Sequence, residues 1–159
     1  MTSESSTITE VNGIEICGSF AFVLATREAL EAVSRTQAFC IVKPFIAAIK
    51  EARYSGMRAS GSKPIYCVGK ATWQSSPVWY ASTIVHDGYH SKLYWENRRT
   101  FLGMPYTPRN AWTGKLAEQK CLRLQLNALR EMGADPGMEQ YVRSLLEDPT
   151  YHKRWFRTW

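Results

Sequence analysis

Two histidines four residues apart constrain this chain more than any other feature. They lie in Val78-Trp79-Tyr80-Ala81-Ser82-Thr83-Ile84-Val85-His86-Asp87-Gly88-Tyr89-His90, with an acid directly after the first. Ser76-Pro77 stands just upstream, a serine that can cap a helix and a proline suited to its first turn. The spacing predicts a helix from about 77 to 95. On a helix, residues four apart lie one above the other. His86 and His90 then present both imidazoles at one point, where together they can hold a metal ion. Asp87 sits beside that point and can take a proton from water. Two histidines at this register also arise by chance, and a buried imidazole is more commonly hydrogen-bonded than metal-bound. The chain has only three histidines, which favours the metal reading.

A catalytic zinc site usually has three protein ligands and one open position. The third ligand is therefore expected on a downstream element. Glu118 is the choice: Cys121, Leu122 and Gln125 follow it at helical spacing and mark an inward face. An inward carboxylate needs a partner, which a metal supplies. The alternatives are Glu96, ten residues past His86 and pointing off the ligand face of a straight helix, and Asp135, placed to organise a turn.

Around this centre the chain reads as a mostly helical α+β domain with a small antiparallel sheet. Asn12-Gly13 between 8–11 and 14–17 is a two-residue hairpin signal. Thr26 can cap a short helix over 27–33. Phe39, Val42, Phe45, Ile46 and Ile49 recur at helical spacing and predict a helix over 37–52, with Pro44 implying a kink or a later start. Residues 54–64 read as a loop and 65–72 as a strand able to pair with the hairpin. Pro105 and Pro108 mark a second loop. A long helix is expected over 112–132, stopped by Gly133 with Pro136 beyond, and a last one over 138–146. Residues 1–7 read as a disordered N-terminus and 8–159 as one domain.

Composition excludes several function classes. At 159 residues, 45% hydrophobic and 21% charged, the chain can bury a core and is not a disordered segment. No apolar run approaches the 18 residues of a membrane span, and the first residues show no secretory signal. Cys17, Cys40, Cys67 and Cys121 are scattered, with no C-x-x-C pair. They read as buried thiols of a reducing, cytoplasmic compartment, not as a cysteine metal site. The net charge of +6 raises the question of nucleic acid. The basic, aromatic tail 151–159 could stack on bases, but no nucleic-acid motif accompanies it. The expectation is that Trp155, Phe156 and Trp159 pack on the domain.

Taken together, Trp79, Ala81, Ser82, Ile84, Val85, His86, Asp87, His90, Glu118, Gln125, Leu129, Gly133 and Ala134 resemble the zincin-like metallopeptidases of the H-E-x-x-H…E type. The nearest pattern is that of small members with a W-x-A-S-x-I-V-H-[ED]-x-x-H helix followed by an E-x₆-Q helix ending in L-G-A. The resemblance spans about 78–134. It implies a zincin-like fold, zinc held by His86, His90 and Glu118, and Asp87 in the general-base position. Asp87 departs from the usual glutamate, and its carboxylate is one methylene shorter. A base must come within about 2.6–3.2 Å of the water it deprotonates. Gly88 is a further departure from a good helix former and admits close approach of another chain segment or a substrate.

The leading expectation is a small zinc-dependent hydrolase acting on a peptide or amide bond. The alternative is a zincin-derived non-peptidase: a metal-dependent enzyme acting on a small molecule, or a binding module with a structural metal. Of the many tyrosines, one can donate to an oxyanion at the metal, although most read as packing residues. Tyr106 and Arg109, in the Pro-flanked loop, are candidate substrate-binding residues. Ser55 has no histidine and acid that sequence connects to it, which disfavours a serine hydrolase.

Overall fold

The hairpin at Asn12-Gly13 forms. Both residues take positive φ, 55° and 78°, as a two-residue hairpin turn demands. They join β1 (Thr7–Val11) to β2 (Ile14–Gly18) in an antiparallel pair. The computed structural model of this chain describes residues 7–153. Thr7, assigned from sequence to the frayed terminus, is the first residue of β1 and lies opposite Gly18; residues 1–6 lie outside the described range.

The sheet is mixed, where an antiparallel one was expected. Its other strands are β3 (Ala48–Glu51), β4 (Gly56–Arg58) and β5 (Ile65–Val68), in the order β1-β2-β3-β5-β4. The β2–β3 and β3–β5 pairs are parallel, while β4 runs antiparallel to β5 at the sheet edge. β5 therefore does not meet the hairpin, because β3 lies between them. Parallel neighbours need a crossover, and α1 (Phe20–Val33) supplies the first.

Two helices in the first part of the chain differ from expectation for physical reasons. Helix α1 starts at Phe20, where the Ser19 hydroxyl accepts from the Phe22 amide. Thr26 is not its cap but a buried residue whose hydroxyl donates to the Phe22 carbonyl and meets the Tyr80 hydroxyl. The helix expected over 37–52 divides into α2 (Gln37–Val42), a 3₁₀ turn at Lys43–Phe45 containing Pro44, and β3. Proline cannot continue the amide ladder. The recurrence of Phe39, Val42, Ile46 and Ile49 reports burial, since all four are core residues, rather than a single helix. Within 54–64 the edge strand β4 forms, and after β5 the chain enters the short α3 (Lys70–Trp73).

The motif helix α4 (Pro77–Glu96) forms as expected, its Ser76 hydroxyl accepting from the Trp79 amide. It runs through the centre of the domain. Tyr80, Ala81, Ile84 and Val85 pack with the sheet, α1 and α2 in the main core. Gly88 lies against α2 and the residues after it: a Cβ there would sit 2.7 Å from Ile46 Cδ1 and 2.9 Å from Val42 Cβ. The glycine thus admits α2 and the segment beyond it.

Beyond α4, the segment expected to be a loop carries a hairpin, β6 (Arg99–Phe101) and β7 (Met104–Tyr106), turned at Leu102-Gly103 with φ of 48° and 76°. The helix expected over 112–132 is split into α5 (Arg109–Trp112) and α6 (Lys115–Glu131) by Gly114, whose φ is 87°. Gly133, at φ 67°, ends α6, and Asp135 caps α7 (Pro136–Glu147) by accepting from the Gly137 amide. A 3₁₀ turn at Tyr151–Lys153 follows.

Only Cys121 is a fully buried thiol. Cys17 and Cys67 are partly exposed on the sheet face away from the core, and Cys40 is exposed on α2, correcting the expectation that all four are buried. In the tail, Tyr151 is buried, while Trp155, Phe156 and Trp159 lie outside the described residues. Among those described, no helix is long and apolar enough to cross a membrane.

Candidate metal centre

The centre lies in the seam between α4 and α6. Helix α4 brings His86 and His90 to one face with ring centroids 5.1 Å apart, and α6 brings Glu118, Cys121 and Gln125 opposite them. All five are buried. The i, i+3, i+7 spacing of Glu118, Cys121 and Gln125 places them on one stripe of α6, so the inward face read from sequence is present.

Hydrogen bonds fix the orientation of both imidazoles. The Nδ1 of His90 lies 2.7 Å from the Trp112 carbonyl oxygen, which can only accept, so Nδ1 carries the proton. The break at Gly114 makes this bond possible. In a continuous helix the Trp112 carbonyl would be committed to an amide four residues on. For His86 the constraint passes through three residues. The Ser82 hydroxyl donates to the Trp79 carbonyl at 2.7 Å and so accepts from Gln125 Nε2 at 3.1 Å. Gln125 Oε1 is thereby turned to His86 Nδ1, 2.9 Å away, and His86 donates to it. Metal-binding histidines characteristically give their second N–H to such an acceptor.

With both Nδ1 atoms so engaged, both Nε2 atoms turn to one carboxylate. Glu118 Oε2 lies 3.2 Å from His86 Nε2, and Glu118 Oε1 lies 3.3 Å from His90 Nε2. Donor atoms on a tetrahedral zinc with bonds of about 2.0–2.1 Å are about 3.3–3.4 Å apart. Each imidazole Nε2 lies at about that separation from one oxygen of Glu118. Cys121 belongs to the same neighbourhood. Ligand atoms of His86, His90 and Cys121 all lie within 4.8 Å of one another, close enough to hold a metal ion. The scattered spacing of the four cysteines gives no metal signal, and Cys121 reads from sequence only as a marker of the inward face; its register with Glu118, one turn earlier, is the signal for a ligand.

A cleft of about 280 Å³ opens onto the centre. It is lined by Asp87, His90 and Glu118, by Ser55, Gly56 and Met57 at the sheet edge, by Trp112, Thr113 and Gly114, and by His152. Asp87 is 1% exposed yet borders this cleft. Tyr106 and Arg109 are exposed, on β7 and at the start of α5, and neither is among the cleft-lining residues. Glu96 is paired with Lys92 on the surface, and Asp135 caps α7, as their positions implied. The Ser55 hydroxyl meets the Thr72 hydroxyl at 2.7 Å and accepts from the Gly69 amide, a structural role. Tyr66 and Tyr80 are likewise engaged, with Thr83 and Thr26. Burial raises the Tyr80 phenol far above its ordinary range, so it stays neutral. Compared with protein-family models, curated proteins and solved structures, the chain has no significant match.

Proposed function

We propose that this protein is a small zinc-dependent hydrolase of zincin-like type that acts on a peptide or amide bond. The observation that carries the reading is the convergence of two oriented imidazole Nε2 atoms on Glu118 at the floor of a cleft that Asp87 also borders. His86, His90 and Glu118 would hold the ion. Glu118 is preferred to Cys121 because it contacts both imidazoles and lines the cleft, which keeps one side of the centre accessible to substrate. A bound zinc ion would polarise a substrate carbonyl and make water acidic enough to attack at neutral pH.

The chain's own residues do the rest. Asp87 is the proton carrier. As the water oxygen bonds to the carbonyl carbon, the carboxylate takes the proton. It returns that proton to the departing amine as the C–N bond breaks, so one water is divided between the two products. Gln125 and Trp112 hold the imidazoles in the tautomer that leaves Nε2 to the ion. At the cleft wall, Gly56 and Met57 belong to the terminal strand of the sheet, whose outer edge offers backbone groups to an extended peptide.

Two measurements test the reading: metal content of the purified protein, and turnover of an unfolded protein such as reduced casein by Asp87→Asn. The variant is expected to keep its zinc and lose about 10²–10⁴-fold in rate. Full turnover by Asp87→Asn removes the base assignment.

The position of Cys121 favours a second reading. His86, His90, Glu118 and Cys121 together number four, the complement of a closed structural zinc site, and a binding module would follow. Cys121→Ser separates the two. Zinc retention with unchanged affinity supports the open site, whereas a large loss of affinity supports the closed one.

A further inference from the structure

The chain's three histidines all stand at this one site. His152 is far from the motif in sequence, yet it lines the same cleft as Asp87, His90 and Glu118. It arrives there on a built turn. Asp148 ends α7, and its Oδ1 accepts from both the amide (2.8 Å) and the hydroxyl (2.7 Å) of Thr150. The Tyr151 amide donates to the Asp148 carbonyl, and the Lys153 amide to that of Thr150. Tyr151 is 6% exposed and sits among Leu122, Leu126, Leu129, Val142 and Leu145. Its ring anchors the turn between α6 and α7, and the next residue, partly exposed, borders the cleft.

We propose that His152 is a substrate-binding residue of this site, whose imidazole N–H donates to the carbonyl oxygen of the bond under attack. The proposal rests on the hydrolase reading above and deepens it. Attack on an amide carbonyl moves negative charge onto its oxygen, and a donor fixed beside that oxygen stabilises the charge as it develops. His152 can serve because it is an N–H donor on a wall other than that of the proton carrier: Asp87 comes from α4, His152 from the C-terminal turn. An exposed histidine with only a solvent role would not need an anchored turn to bring it to the cleft.

The test uses the full chain loaded with cobalt(II), whose visible spectrum reports the metal, and acetohydroxamate as an anionic, carbonyl-like probe. Loss of a hydrogen bond to a charged group weakens binding by about 10–100-fold. His152→Phe is expected to weaken acetohydroxamate by that factor, with cobalt stoichiometry and melting temperature unchanged. His152→Gln, which keeps an N–H donor, is expected to restore most of the affinity. Wild-type affinity in His152→Phe overturns the proposal and leaves the metal reading standing. Reduced cobalt stoichiometry in His152→Phe overturns it by making His152 a ligand. A drop in melting temperature shared by both variants overturns it in favour of a packing role. A wild-type cobalt protein that does not bind acetohydroxamate overturns both this proposal and the hydrolase reading.

Discussion

Helix α4 has two faces that are equally buried and chemically opposite. Toward the sheet, α1 and α2 it presents Tyr80, Ala81, Ile84 and Val85; toward α6 it presents Ser82, His86 and His90. Ile84 and His86 are both 0% exposed. Burying the apolar face is favourable in itself, by about 25 cal/mol for each Å² removed from water. Burying the polar face is costly unless every donor and acceptor finds a partner. The chain of Trp79, Ser82, Gln125 and His86 shows how much of α4 and α6 is given to meeting that demand. A domain of this size can close its core with apolar residues alone, so the polar seam at its centre is a cost that packing itself does not require.

Four substitutions sharpen or break this contrast. The largest effect is expected on the apolar face. Ile84→Ala should lower unfolding free energy by about 2–5 kcal/mol in a denaturant titration while zinc stoichiometry stays at the wild-type value. Loss of zinc in that variant would show that the two faces are not separable. On the polar face the signature is ligand-dependent. Zinc at a hundredfold excess over its Kd should raise wild-type stability by about 2.7 kcal/mol, read as a shift in melting temperature. His86→Ala should abolish the shift. Gln125→Leu should keep it but require about 10–100-fold more zinc, the usual effect of removing an orienting partner. An equal shift in His86→Ala would place the metal elsewhere. The smallest effect is expected at Gly88, where α4 meets α2. Gly88→Ala gains about 1 kcal/mol of helix propensity but overpacks Val42 and Ile46 at a cost of about 1–3 kcal/mol. The net loss should be about 1 kcal/mol, with zinc binding intact. A more stable variant would mean that α2 yields easily.

The two faces were not equally legible in the sequence. The polar one was. A four-residue spacing, a serine cap and a downstream acid with apolar neighbours are local signals, and His86, His90 and Glu118 do meet. Cys121 and His152 were missed for different reasons. Cys121 had the right register but was judged by spacing to other cysteines. No periodicity could bring a histidine from the C-terminal segment to α4, because that placement depends on how α7 and Tyr151 pack. The sheet was the least legible part. Its first hairpin rests on two turn residues and was readable. β3 was hidden by a run whose burial imitated a helix, and its insertion between β2 and β5 is a choice of topology that short strands do not encode locally. The Pro-flanked segment suggests a lid, but it folds into a surface hairpin and a short helix, and neither Tyr106 nor Arg109 is among the cleft-lining residues.

The interruption at Gly114 links two events that would otherwise be independent. Because it leaves the Trp112 carbonyl to accept from His90 Nδ1, the docking of α5 against α4 and the proposed loading of an ion on His90 would share one hydrogen bond. Linkage of this kind is reciprocal: whatever free energy the docked segment contributes to holding the ion, the ion returns to the docked segment. Helix α5 would therefore report on the centre, and its amides should exchange more slowly with solvent deuterium as the ion is taken up.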